Sequence, residues 1–178
     1  ERINQCLKID RNFLYAELTL SALKLHQGDK FLFNKLMESS HKDHPFMRSF
    51  KWVSTLPKLP ELFFYRWALF DSMTKKSKKD RPFYEFGVWR GESFKYLIKT
   101  FKKGYGFDTF TGLPEDWHAS KMKGSYTSFG MVPDIDGGEF VVGKFEDTLP
   151  IFFSKKREKA SIINFDADLY SSTICSLN

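Results

Sequence analysis

The stretch "FYEFGVWRGESFKYLIKTFKKGYGFDTF", residues 83–110, holds two short apolar runs separated by a helical pattern. "FYEFGVW" reads as a buried strand, short, aromatic and closed by glycine and charge. "ESFKYLIKTFKK" follows, with Phe94, Leu97, Ile98 and Phe101 turned inward on one helical face. "GYGFDTF" is a second strand and its turn. Reading on, "EFVVGKF" gives a third strand, "DTLPIFFSKKREK" a helical or irregular crossover, and "ASIINFDADLY" a fourth strand. Strands alternating with helical connections predict an α/β fold with a parallel sheet. Ligands of such sheets bind just beyond the carboxyl ends of the strands. The residues where each strand stops are therefore the candidate site.

Upstream, "ELFFYRWALFDSMTKK" sets Phe63, Trp67 and Phe70 at i, i+4 and i+7, predicting an amphipathic helix that packs on the sheet. Residues 45–60 read as a connector, because Pro45, Pro57 and Pro60 break helices and no period joins them. Residues 1–44 read as helices: "NFLYAELTLSALKLHQGD" carries Leu14, Leu18 and Leu25, Gly28 breaks the pattern, Asp29 caps, and "KFLFNKLMESS" resumes it. "CLKIDRNFLYAELTLSALKLHQGD" resembles the join between two tetratricopeptide repeats, with Arg11 where the repeat has proline. A plain helical lead-in fits equally. The expected organisation is a helical segment 1–44 that ends a repeat array, a connector 45–60, and the α/β part 61–178.

Composition bounds the function. The 178 residues are 42% hydrophobic and 28% charged, which is globular, and 20 Phe predict a core of large side chains. The net charge is +6, but the lysines are scattered apart from "KKSKK" at 75–79, which reads as a solvated loop; no nucleic-acid partner is expected. Cys6 and Cys175 offer neither a disulfide framework nor metal spacing, so a reducing, cytoplasmic setting is the default. No run approaches the roughly 18 apolar residues of a membrane span, and no membrane partner is expected. The chain begins at Glu1 and is expected to be a piece of a longer protein. The sequence sets no oligomeric state.

The first strand ends in acid-x-Gly-x-x-x-Gly: Glu85, Gly87 and Gly91. Gly87 permits a tight turn with no Cβ facing a ligand, and Gly91 permits close approach at the helix start. This is not the dinucleotide fingerprint G-x-G-x-x-G. Asp108 ends the second strand, about 23 residues after Glu85, where an acid typically accepts hydrogen bonds from ribose hydroxyls. A nucleoside without a pyrophosphate is implied, and S-adenosylmethionine, a sulfonium cation, suits an acid-rich pocket. The connection "TFTGLPEDWHASKMKGSYTSFGMVPDIDGG" is long for a structureless loop, and Trp117, Tyr126 and Phe129 favour a lid that closes over a ligand.

"FDADLY", residues 165–170, puts Asp166 and Asp168 at the end of the fourth strand. Along an extended strand these two point to the same side. Two close carboxylates repel unless a cation or a shared proton intervenes. A carboxylate can take the proton from an alcohol, and a hard cation such as Mg²⁺ prefers carboxylate oxygens.

"YEFGVWRGES", "GFDTFTGLPEDW", "KGSY", "GKFEDTLP" and "FDADLYSST" stand in the order and spacing of the macrocin O-methyltransferase family, which residues 61–178 resemble. "GFDTFTGLPE" and "DADLYSST" are the specific parts; the glycine motif is generic. The resemblance implies the first four strands of a Rossmann-like class I methyltransferase sheet. It also implies methyl transfer from S-adenosylmethionine to a hydroxyl of a sugar or other polar small molecule. Glu85, Gly87 and Gly91 would line the methionine end of the cofactor, and Ser93 would reach its carboxylate. Asp108 would hold the ribose. Lys144, Phe145 and Glu146 would flank the adenine, with core packing an even alternative for Phe145. Asp166 would bind the metal, expected to be Mg²⁺, and Asp168 would act as general base. The family's further acid pair would fall beyond Asn178, so the metal site is expected to be incomplete. Two other classes remain: a nicotinamide-dependent oxidoreductase, and a non-catalytic interaction module that meets a protein partner through the N-terminal helices.

Overall fold

A computed structural model describes residues 2–178. The chain divides into two compact units, one running to Leu62 and the other spanning Phe63–Asn178.

The first unit is helical: α1 (Arg2–Ile9), α2 (Leu14–His26), α3 (Phe31–Met37) and α4 (Pro45–Val53). Leu18, Phe33, Leu36 and Met47 form its core. Asp29, expected to cap α3, stands one residue before the N-cap, Lys30, and its Oδ1 accepts from the Phe31 backbone N–H at 3.1 Å. The connector expected from residue 45 is helix α4 over its first nine residues. Pro45 starts this helix instead of breaking it, because a first-turn N–H has no intrahelical acceptor to lose. The His44 ring Nδ1 caps it by accepting from the Phe46 N–H.

The second unit opens with α5 (Arg66–Lys76) and continues β1 (Phe83–Phe86), α6 (Glu92–Leu97), β2 (Gly104–Asp108), β3 (Gly138–Val142), α7 (Phe145–Phe153), β4 (Ile162–Phe165) and α8 (Tyr170–Leu177). The four strands form one parallel sheet in the order β3-β2-β1-β4. The α/β class read from the sequence is the observed one. Trp67 and Phe70 pack inward from α5 as expected, whereas Phe63 lies ahead of the helix. Helix α6 is shorter than its pattern, with Ile98 as C-cap, and Phe101 reaches the core from the turn beyond. The crossover after β3 is a true helix despite Pro150 inside it.

Alternation along the strands builds two cores. Phe83 joins Phe94, Leu97, Phe101 and Phe110 on one face of the sheet. Tyr84, Phe86, Tyr105 and Phe107 meet Phe145, Leu149 and Phe152 on the other. The glycines of "GYGFD" fall on the first face, where a Cβ on Gly104 would come within 2.4 Å of the Phe83 ring. Phe107, Phe86 and Phe165 stack across β2, β1 and β4, with centroids 4.8 and 5.1 Å apart. Each such pair contributes about 1 kcal/mol beyond its buried area. The central strands are thereby fixed in register, and their ends are fixed with them.

Candidate active site

All four strand ends contribute to one cleft of about 310 Å³: Gly87 after β1, Asp108 at the end of β2, Lys144 and Phe145 after β3, and Asp166 after β4. Ser93 from α6, Glu146 from α7 and Asp168 complete the sequence-predicted residues on its walls. Glu85 and Gly91 are not on the walls.

Glu85 is fully buried beneath the cleft. Its Oε1 accepts a short hydrogen bond from the Ser93 hydroxyl. Its Oε2 has no hydrogen-bond partner among the described residues, and neither has Nδ2 of Asn164, the residue paired with Glu85 across β1 and β4. Burial pushes the Glu85 carboxyl up to about 8. The Ser93 hydroxyl offsets part of this and the Asp166 charge adds to it. At neutral pH Glu85 is therefore mostly a protonated acid that supports Ser93 from below, instead of a carboxylate facing a ligand.

The glycines serve the frame of the cleft. Gly87 has φ +91, and a Cβ there would lie 2.3 Å from the Asp166 carbonyl oxygen. Its bareness lets the end of β4 approach β1, which brings Asp166 to the cleft. Gly91, at φ +75, precedes the first residue of α6, and a Cβ on it would crowd Pro133 and Ile135.

Asp108 is held differently from the simple ribose acceptor expected. Its Oδ2 accepts from the backbone N–H groups of Val88 and Trp89 at 2.7 and 2.8 Å, and its Oδ1 from Phe110 at 2.7 Å. A carboxylate has roughly four acceptor sites, so three are taken and about one is left for a ligand. Asp108 thus staples the β1 turn to β2 while lining the cleft.

The paired acids also converge by a different route. Strand β4 ends at Phe165, so the two-residue period of a strand does not reach Asp168. Asp168 instead sits in a left-handed turn at φ +37, and both acids line the cleft. Burial raises the Asp168 carboxyl above the usual range and the Asp166 charge raises it further, against Lys121 and Arg66. Arg66 Nη1 lies 3.5 Å from Asp166 Oδ2. No group of three or more His, Cys, Asp or Glu side chains suited to a metal occurs among the described residues. A guanidinium against Asp166 repels a dication, so the donor set does not fit the expected Mg²⁺.

The long connection after β2 is tied down. Ser128 and Gly130 donate their backbone N–H groups to the Phe110 carbonyl, and Leu113 and Gly124 pair with each other's side of the loop at 2.9 Å. Tyr126 lines the cleft and meets the Trp89 ring edge-on at 5.8 Å. Trp117 and Phe129, expected to close over a ligand, are not on the cleft walls. Sequence reading did not single out Trp89, which also lines the cleft and whose indole N–H reaches the Thr127 carbonyl. It passed over Arg66 as well, because the helical pattern was read from Phe63 and so placed Arg66 inside the helix that it in fact opens.

The fold resembles that of a solved methyltransferase. The chain is 21% identical to the calicheamicin methyltransferase CalS11, with a TM-score of 0.50 over 82% of this chain and 68% of that one. A structure described as "cmcI-N160 SAH" is 14% identical, with a TM-score of 0.37 over 71% of this chain and 66% of the other. The sequence matches no family model and no curated relative. The first likeness concerns the fold alone, an α/β fold with a parallel sheet.

Proposed function

We propose that the cleft binds S-adenosylmethionine and that the parent protein transfers its methyl group to a hydroxyl of a sugar or another polar small molecule. The observation that carries this is the meeting of all four strand ends at one cleft that holds Asp108 and Asp168 together. Its volume lies at the lower end of the range of ligand pockets, roughly 300–1,000 Å³. The fold of CalS11, described as a calicheamicin methyltransferase, supports the same class. The likeness of "GFDTFTGLPEDW" and "FDADLYSST" to the macrocin O-methyltransferases supports a hydroxyl acceptor.

The residues fit this donor. The remaining acceptor site of Asp108 suits a ribose hydroxyl, and two further wall residues, Phe145 and Ser93, would meet the adenine and the amino-acid end, Phe145 while packed against Phe86 and Ser93 while its hydroxyl donates to Glu85. The bound sulfonium supplies an electrophilic methyl group. Asp168 takes the proton of the acceptor hydroxyl. Its environment raises its proton affinity, which makes it a stronger base than an ordinary exposed aspartate. Asp166 and Arg66 stand beside it and fix the local charge.

The test is Asp168→Asn in the full-length parent, with turnover and S-adenosylhomocysteine affinity measured side by side. Asparagine tolerates the left-handed backbone, so the change removes the charge and spares the turn. Turnover falls at least about 100-fold, the scale of general-base catalysis, with affinity within a factor of three. Unchanged turnover rejects Asp168 as the base.

A further inference from the structure

Two carboxylates one residue apart call for a positive neighbour, and the cleft contains one. Arg66 Nη1 stands 3.5 Å from Asp166 Oδ2, and Arg66 itself lines the cleft.

The location of Arg66 is costly on local grounds. It is the first residue of the eleven-residue α5, where the helix dipole disfavours a cation and favours an acid. Both partners are substantially exposed, and exposed ion pairs add little to stability. Neither helix formation nor folding explains the residue. Its effect is instead on what else can approach the acids: a guanidinium beside Asp166 Oδ2 repels a dication.

We propose that Arg66 is the resident counter-cation of the Asp166–Asp168 pair, and that this chain holds the pair without a divalent metal ion. The guanidinium is always charged, so it offsets the Asp166 carboxylate and leaves Asp168 free toward the cleft. Arg66 is thus a positioning residue. The inference rests on the cleft geometry and not on methyl transfer, so it stands or falls separately from the reading above.

Electron paramagnetic resonance of free Mn²⁺, titrated with the full chain at neutral pH, tests it. Wild type and Arg66→Lys show no saturable site tighter than about 1 mM, the weak end of oxygen-ligand cation sites. Arg66→Gln unmasks the acids and tightens Mn²⁺ binding at least roughly tenfold, the scale expected when one charge a few ångströms from a dication is removed. Adding Asp166→Asn to that variant abolishes the gain. Two results overturn the proposal: a wild-type site tighter than about 1 mM that Asp166→Asn removes, or an Arg66→Gln variant that keeps its circular dichroism and binds Mn²⁺ no better than wild type. The wild-type titration is decisive even where a variant does not fold.

Discussion

Replacing Glu85 by glutamine should change how stability depends on pH. Glu85 is fully buried and its carboxyl is pushed from 4.5 up to about 8, chiefly by burial. Between those two values the folded protein carries a proton on this group that the unfolded chain lacks. The unfolded state then binds fewer protons, so stability is highest below about 4.5 and falls as pH rises toward 8. Each unit in that window costs about 1.4 kcal/mol. From pH 5.5 to 7.0 the loss attributable to Glu85 is about 2 kcal/mol, because the unfolded group is almost wholly ionised and the native one almost wholly protonated across the interval. Glutamine keeps an oxygen for the Ser93 hydroxyl and cannot ionise. Urea unfolding of both proteins at pH 5.5 and 7.0 isolates the contribution, since other titrating groups cancel in the difference. The stability of Glu85→Gln relative to wild type should rise by about 2 kcal/mol between the two pH values. A difference constant to within about 0.5 kcal/mol would show that Glu85 is ionised in the folded state and would refute the reasoning.

The remaining expectations concern the frame of the cleft. Gly87→Ala forces a Cβ against the Asp166 carbonyl at a positive φ and should cost about 3 kcal/mol in urea unfolding. Asp108→Ala leaves the N–H groups of Val88, Trp89 and Phe110 without their acceptor and should cost about 3 kcal/mol as well. A neutral Gly87→Ala would mean that the end of β4 yields to the added Cβ, and a neutral Asp108→Ala that the β1 turn is held by something else.

The sheet was legible because its residues repeat what the fold needs. The aromatic runs at Phe83–Phe86 and Gly104–Asp108 alternate between two cores, and the helix between them carries its own apolar face. Strand ends therefore pointed to Gly87, Asp108, Asp166 and Asp168, and the family resemblance to Ser93, Lys144, Phe145 and Glu146; all eight line one cleft. What was not legible depended on tertiary partners. Asp108 reads as a free acceptor in sequence, but two backbone donors from the distant β1 turn, Val88 and Trp89, and a local one, Phe110, use it. Glu85 reads as a site acid, yet pairing on both sides of β1 buries it. The two acids of "FDADLY" reach the cleft through a left-handed turn that no strand period describes. Pro45 looked like a breaker because sequence alone does not distinguish a first helical residue from an interior one.

Titration calorimetry of the intact parent protein with S-adenosylhomocysteine tests the central claim most directly. The cleft predicts one saturable site per chain, with affinity lost in Asp108→Ala and no comparable binding of NADH. A folded parent that takes up no S-adenosylhomocysteine, or that binds NADH in its place, would contradict it.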